Sequence, residues 1–318
     1  MRASSPIADL GYRNVAEFSG RHAPAWWVIA RTHIQRMLKV KSYWVLLVLS
    51  GGHYLITAAV TYFIDSFASN MGGAEFAEGF FKRIVWKDQF LNGFQFGHFL
   101  LMAILLLVGA GCIANDNRSN ALLVYFSKPC SKRDYLVGKF LAVFLLFALA
   151  MAIPAVFFVF YGAMNYREHG FLSNDPWMIP RVVLGIALVA AYQSSLMLGV
   201  SSLFNQGRLA GATYAGVYVL TGVFAGMAKL VGEARDVSGP IQKVLDKIHY
   251  LSPYGGCEGI LKSVLGTDGS FFARGGGRSQ DLVVPRPDLW LVFLVAVVPA
   301  VLAWWIAIAR VRAVEVVK

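Results

Sequence analysis

Six stretches of this sequence, residues 43–63, 94–114, 135–161, 181–204, 209–231 and 289–309, each hold no more than one Lys, Arg, Asp or Glu. A run of about 20 apolar residues is what a helix needs to cross the hydrocarbon of a bilayer. Inside lipid the backbone must satisfy its own hydrogen bonds, which leaves helices and closed barrels as the only spanning forms. The chain therefore reads as all-α: a polytopic integral membrane protein with six transmembrane helices in one domain, 43–309. Composition agrees. At 57% hydrophobic and 15% charged over 318 residues, there is too little polar surface to cover a soluble core, since soluble domains carry about a quarter charged residues. The third stretch holds sixteen Leu, Val, Ile and Phe residues. At about −0.3 to −0.6 kcal/mol each, their insertion outweighs Lys139 near its start. Pro180 suits the first turn of the fourth stretch, while Pro154 and Pro299 fall inside spans and are expected to kink them.

Orientation follows from the basic residues. Residues 1–42, 115–139, 205–208 and 310–318 carry 16 Lys and Arg against 5 Asp and Glu, and the remainder carries 13 and 13. The whole net charge of +11 thus falls on one side of the six-span topology. That side is expected to be cytoplasmic, with both termini inside, and the charge needs no nucleic-acid partner to explain it. The first 25 or so residues are polar and the first apolar block is too long for a signal-peptide core, so no cleaved signal is expected. The location implied is a cytoplasmic (inner) membrane crossed several times. Cys112 and Cys130 fall inside and Cys257 outside, so no bridge joins them across the membrane, and Cys257 is free or pairs with another chain.

The connections carry the remaining information. Before span one, Trp27, Ala30, Ile34, Met37 and Leu38 share one helical face, with Arg31, Gln35, Arg36 and Lys39 on the other. This is an amphipathic helix lying in the headgroup region, either a plain anchor or a lever linking a cytoplasmic partner to span one. In loop 115–134, Asn115 or Asp116 is expected to cap a helix running through Phe126, stopped by Pro129. Ser131 or Asp134 caps the next span. That short helix holds Leu122, Leu123, Tyr125 and Phe126 at the cytoplasmic surface, where lipid or a partner's groove would take them. Span five pairs Gly207 with Gly211 and Gly222 with Gly226 at four-residue spacing. The pairs allow close helix packing, within this chain or against a second copy. External loops are 64–93, 162–180 and 232–288. The first is expected to hold an amphipathic helix around Phe76 to Val85. The last is expected to hold exofacial helices: one from Ser238 to Leu251, then an S-P-Y-G-G turn, then a short apolar stretch from Cys257 to Leu265. Residues 274–278, with three glycines, read as a flexible loop.

Catalytic motifs are missing. There is no G-x-x-x-x-G-K-[ST], H-E-x-x-H, C-x-x-C or G-x-S-x-G, so no catalytic residue, metal ligand or cofactor of the chain's own is assigned. Ionisable or amide side chains inside spans invite a functional reading. His53, His98 and Gln193 are the candidates for lining a translocation path, against the plainer alternative of hydrogen-bonded packing.

The segment from Ile113 to Phe140 resembles the type-2 ABC transporter permeases, the membrane subunits of bacterial ATP-driven exporters. Asp116, then Ser127-Lys128-Pro129-Cys130-Ser131-Lys132-Arg133, then Gly138-Lys139 match that family's acidic residue after span two, its P-x-S-R-like turn and its G-K at the start of span three. Asp stands where Glu is commoner, and Ser119-Asn120 where G-T is common. The resemblance implies that residues 115–128 form a coupling helix, with Asp116, Arg118, Leu122, Leu123, Tyr125, Phe126 and Lys128 meeting a separate ATPase. It implies two copies of that ATPase, which hold the ATP and Mg. It also implies a second permease chain packed across Gly207, Gly211, Gly222 and Gly226, a lipid environment, and room for a periplasmic or accessory subunit. The function implied is export of a substrate by a subunit that is not itself an enzyme. A force-transmitting or anchoring subunit with little transport is the alternative. A lipid-modifying membrane enzyme is a third class, but it would need acids and histidines clustered at one membrane face.

Overall fold

The computed structural model describes residues 23–71, 73–126, 130–234, 244, 247–269 and 284–311. Every regular element among them is a helix. In order these are α1 (Ala25–Leu38), α2 (Lys41–Ser50), α3 (Gly52–Met71), α4 (Ala74–Arg83), α5 (Asp88–Gly109), α6 (Ala114–Arg118) and α7 (Ala121–Phe126), then α8 (Lys132–Asn165), α9 (Met178–Leu203), α10 (Gly207–Ala234), α11 (Pro253–Leu265) and α12 (Leu289–Arg310). Five helices are long and apolar enough to cross a membrane: α5 running on through Arg118, α8, α9, α10 and α12. The pair α2–α3 passes the same criteria together, bent by 44°, and counted as one span makes six. The protein is a polytopic membrane protein.

The first span differs from the straight 43–63 helix expected, and the reason is crowding. The break at Gly51 lies where three backbones converge. A Cβ on Gly51 would come within 2.8 Å of the Pro154 side chain on α8, and one on Gly97 of α5 within 2.6 Å of the Ser50 carbonyl oxygen. Pro154 and Pro299 both sit inside unbroken helices. The second span starts at Asp88 rather than at 94, five residues after α4 ends at Arg83.

The centre of the bundle is α9: over its most apolar 18 residues 61% are buried, against 28% for the matching stretch of α10 and 22% for that of α12. α12 packs along α9, α8 lies between α9 and α1, and α11 covers α9, α5 and α10 at one end. α10 and α12 thus turn most of their surface outward, where lipid or another chain is the natural neighbour. α1 packs against α8 rather than floating free. A Cβ on Gly138 would meet the Trp26 carbonyl at 2.7 Å, so Gly138 is what lets the two backbones approach. The buried side of α1 is Ala30 with half-buried Trp26, Ile29, His33, Ile34 and Met37. Trp27 is exposed, a correction to the sequence reading by one position, while Arg31, Gln35, Arg36 and Lys39 face out as expected.

S-P-Y-G-G is not a turn between two helices. Ser252 caps α11, its hydroxyl accepting from the Gly255 N–H at 2.9 Å, and Pro253 occupies the first helical position, where its missing N–H costs nothing. Most of the helix expected from Ser238 lies outside the described residues, as do 274–278, the N-terminal 1–22 and the tail beyond Val311.

Gly97→Val should disrupt the first span, since the Ser50 carbonyl is backbone and cannot yield. We expect a destabilisation of about 1–3 kcal/mol, read as a lowered Tm of the detergent-solubilised chain. An unchanged Tm would mean that the convergence at Gly51 is loose.

Candidate functional site

The loop after α5 folds into two short helices rather than the single helix expected through Phe126. The chain breaks at Asn120, whose φ of 52° is left-handed, a conformation Asn tolerates better than most residues. Neither Asn115 nor Asp116 caps α6. The Ser201 hydroxyl at the end of α9 accepts from the N–H groups of Ile113 and Ala114, each at 3.1 Å, and donates to the Ala110 carbonyl at 2.9 Å. A side chain distant in sequence thus does the work of a local cap.

Asp116 is directed into the protein instead. Its carboxylate lies 2.7 Å from the Lys139 ammonium and accepts the Tyr135 hydroxyl at 2.8 Å. The Lys139 side chain is 8% exposed and that of Asp116 19%. The rings of Tyr125 and Tyr135 flank the ammonium, with centroids 5.9 and 5.5 Å away. Further bonds hold the rest of the loop. Asn115 Oδ1 accepts from the Gly207 N–H at 3.2 Å, and Asn117 Nδ2 donates to the Phe204 carbonyl at 3.3 Å. Ser131 and Asp134 form the expected capping box at the start of α8, each side chain bonding the other's backbone N–H at 3.1 Å. α6 is therefore fastened to the ends of α5, α8, α9 and α10 together, and α7 is held beside it.

Leu122 turns into the chain's own core, Tyr125 is half-buried against Tyr135, and Leu123 and Val124 face out, 41% and 61% exposed. Arg118 is exposed. Phe126 ends α7 with its side chain outside the described set, and Lys128 lies outside the described residues. The glycines of span five divide. Gly207 packs on Gly111 and Gly211 on Ala110, within this chain, whereas a Cβ on Gly222 or Gly226 would meet nothing within 4 Å.

A cleft of about 1370 Å3 opens beside α6, bounded by α1, α2, α5 and the start of α10. His33 lines it, its Nε2 3.0 Å from the Val108 carbonyl. Burial, aided by the nearby Lys139 charge, pushes the His33 imidazole down to about 4 and keeps it neutral at pH 7.

The three intramembrane candidates do not form one site, though His98 and Gln193 both meet the start of α11. His53 bonds Gln89 at 3.2 Å on the α3–α5 side. His98 donates to the Gln95 carbonyl at 2.6 Å, its ring against Phe99 and Tyr254. Gln193 is buried, donating to the Pro253 carbonyl and to Cys257 Sγ while accepting the Tyr214 hydroxyl. Cys257, wholly buried there, offers no sulfur to another chain, a correction to one of the two sequence readings.

Sequence reasoning missed a second polar cluster at the far end. Glu258 of α11 is 3% exposed. Its carboxylate meets His249 at 2.9 Å, Lys262 at 2.7 Å and Gln95 Nε2 at 3.1 Å. Burial alone would raise this carboxyl, but the hydrogen bond from His249 and the Lys262 charge outweigh it and hold the group at about 2. The signal was present: Glu258 and Lys262 stand at i, i+4, the spacing of a helical ion pair.

The model of the ABC-2 family transporter proteins matches residues 27–311. The chain belongs to this family. The ABC-2 permease is thus a transmembrane subunit of an ABC transporter, the membrane component rather than the ATPase. No curated protein matches the chain. The family match agrees with the resemblance carried by Asp116 and Gly138-Lys139, and the permease's own contacts explain that motif. Gly138 admits α1, and Lys139 neutralises Asp116.

Lys139→Met should leave Asp116 buried without its cation and destabilise the permease by about 3 kcal/mol. Asp116→Asn in the same chain should recover much of that loss, read from Tm in a double-mutant cycle. Additive losses would show that the two charges act independently. The His33 imidazole gives a pH dependence. Its folded pKa lies below its unfolded value near 6.5, so its contribution is complete above about pH 6.5 and is lost as pH falls toward 4. The loss amounts at most to something on the order of 3 kcal/mol. Tm should fall over that window, and His33→Asn should flatten the fall. An equally steep fall in the variant would place the titration elsewhere.

Proposed function

We propose that this permease couples ATP hydrolysis by a separate ATPase to export of a substrate, with α6–α7 as the docking element. The observation that carries the reading is the fastening of α6 to four spans at once, with α7 packed directly after it. A partner pressing on the exposed Leu123 and Val124 would move the ends of α5, α8, α9 and α10 as a unit, because the Asp116–Lys139 pair and the Ser201 hydroxyl tie the loop to them. Charge supports the orientation. The basic side carries the full +11, which supports a cytoplasmic position for α1, α6 and α7, in a bacterial inner membrane with both termini inside. Two ATPases, holding ATP and Mg, would then engage two permease chains. The open faces of Gly222 and Gly226 on the outward-turned α10 suit contact with the second chain, and lipid covers the remainder. The permease chain itself is assigned no enzymatic step.

Leu123→Asp with Val124→Asp adds two charges to the outward face without touching the core. Pull-down of the ATPase by the tagged permease should drop at least tenfold while Tm holds. Undiminished association would overturn the docking assignment. Retained association without ATP-dependent flux in reconstituted vesicles would instead favour a force-transmitting or anchoring subunit.

A further inference from the structure

The cleft beside α6 has two kinds of wall at two depths. Near the surface it is lined by Arg36 of α1, Arg118 of α6 and Arg208 at the start of α10, together with the paired Asp116 and Lys139. Farther into the spans its walls are apolar, from Leu46 of α2 and from Leu106 and Leu107 of α5. All three arginines are exposed, and among the described residues no carboxylate lies within ion-pair distance of any of them. Asp116 does not offset them, since Lys139 already neutralises it. The half-buried His33, neutral at pH 7, adds no charge.

A general excess of basic residues at the cytoplasmic side accounts for cations at this end of the bundle, but not for their gathering in one cavity. Arg31, Lys39, Lys132, Arg133 and Arg310 stand at the same end and do not line it. The cleft's uncompensated cations are all arginine, whose planar fork matches phosphate oxygens two at a time. A concave basic surface beside low-dielectric walls also concentrates anions. α1 turns Arg31, Gln35, Arg36 and Lys39 to its exposed face, so with α1 at the membrane surface Arg36 would sit at headgroup depth while Leu46, Leu106 and Leu107, in the spans, would continue into the hydrocarbon.

We propose that this cleft binds a lipid amphiphile bearing a phosphate headgroup. The headgroup is held by Arg36, Arg118 and Arg208, and the chains lie against α2 and α5. That such a lipid is the exported cargo rests on the permease reading above; the binding itself does not. A second groove, of about 490 Å3 between α9, α11 and α12, provides an internal contrast. It is lined by apolar and uncharged residues such as Leu188, Val292 and Phe293, so it is expected to take lipid chains without regard to headgroup.

The test uses the full-length chain in detergent, without the ATPase, so that its outcome is separate from that of the docking experiment. Binding of dihexanoyl phosphatidic acid, dihexanoyl phosphatidylcholine and inorganic phosphate is measured by microscale thermophoresis. Phosphatidic acid should bind at least tenfold more tightly than either other probe, and Arg36→Gln with Arg208→Gln should remove that preference. The control pair Arg31→Gln with Arg133→Gln, which removes two cations of the same end outside the cleft, should keep it. Three results would overturn the proposal. Phosphatidylcholine binding as tightly would mean an apolar groove only. Free phosphate binding as tightly would mean an anion site with no role for the chains. An equal loss in the control pair would mean diffuse surface charge. Tm of each variant is read alongside. If the cleft double variant does not fold, the single Arg36→Gln variant and the salt dependence of phosphatidic acid binding to the unaltered chain replace it, and binding insensitive to both would overturn the proposal.

Discussion

A lysine placed at the start of a transmembrane helix must find a partner or reach water, and here Lys139 finds Asp116. The rest of that end of the bundle is arranged around the pair. Because Asp116 turns inward to meet the ammonium, it cannot cap α6, and the Ser201 hydroxyl of α9 takes over the free N–H groups. Because Lys139 is buried, α1 can lie across it, and Gly138 gives the α1 backbone room to do so. Because α6 is drawn inward, α7 is left at the surface with Leu122 buried and Leu123 and Val124 outward. A single charge pair thus connects the start of α8, the end of α9 and the loop a partner would press.

The two ends of the bundle solve the same problem in different ways. At the far end Glu258 is buried more deeply than Asp116 and needs more support, drawing on His249, Lys262 and Gln95. Three donors around one carboxylate lock α11 against α5. The end that holds the Asp116–Lys139 pair leaves three arginines beside it uncompensated. One end therefore has the character of a closed polar plug, the other of an open basic mouth.

Much of the architecture was legible in the chain because lipid enforces it. Residues that must bury their own backbone bonds in hydrocarbon have little choice but to form long helices, and the six apolar stretches announced them. The capping box of Ser131 and Asp134 was legible for a similar reason, since both partners lie within one turn. The capping of α6 was not, because its partner, Ser201, is about ninety residues away. The bend at Gly51 was hidden for the same reason. Nothing near residue 51 signals that Pro154 and the Gly97–Ser50 contact will crowd it. Glu258 was overlooked because its stretch reads as apolar when hydropathy is averaged over a window.

Sequence by itself determined that this protein is a helical membrane protein, which of its sides is basic, and that its informative connection lies between spans two and three. Those properties depend on composition and on spacing within a turn or two, which a linear chain carries. Only the tertiary structure decided that Asp116 belongs to Lys139, that Gly207 and Gly211 pack inside the chain while Gly222 and Gly226 face outward, and that Arg36, Arg118 and Arg208 share one cleft. Each of these joins residues from different helices, and the packing of one helix against another, not the order of residues along either, sets which side chains meet.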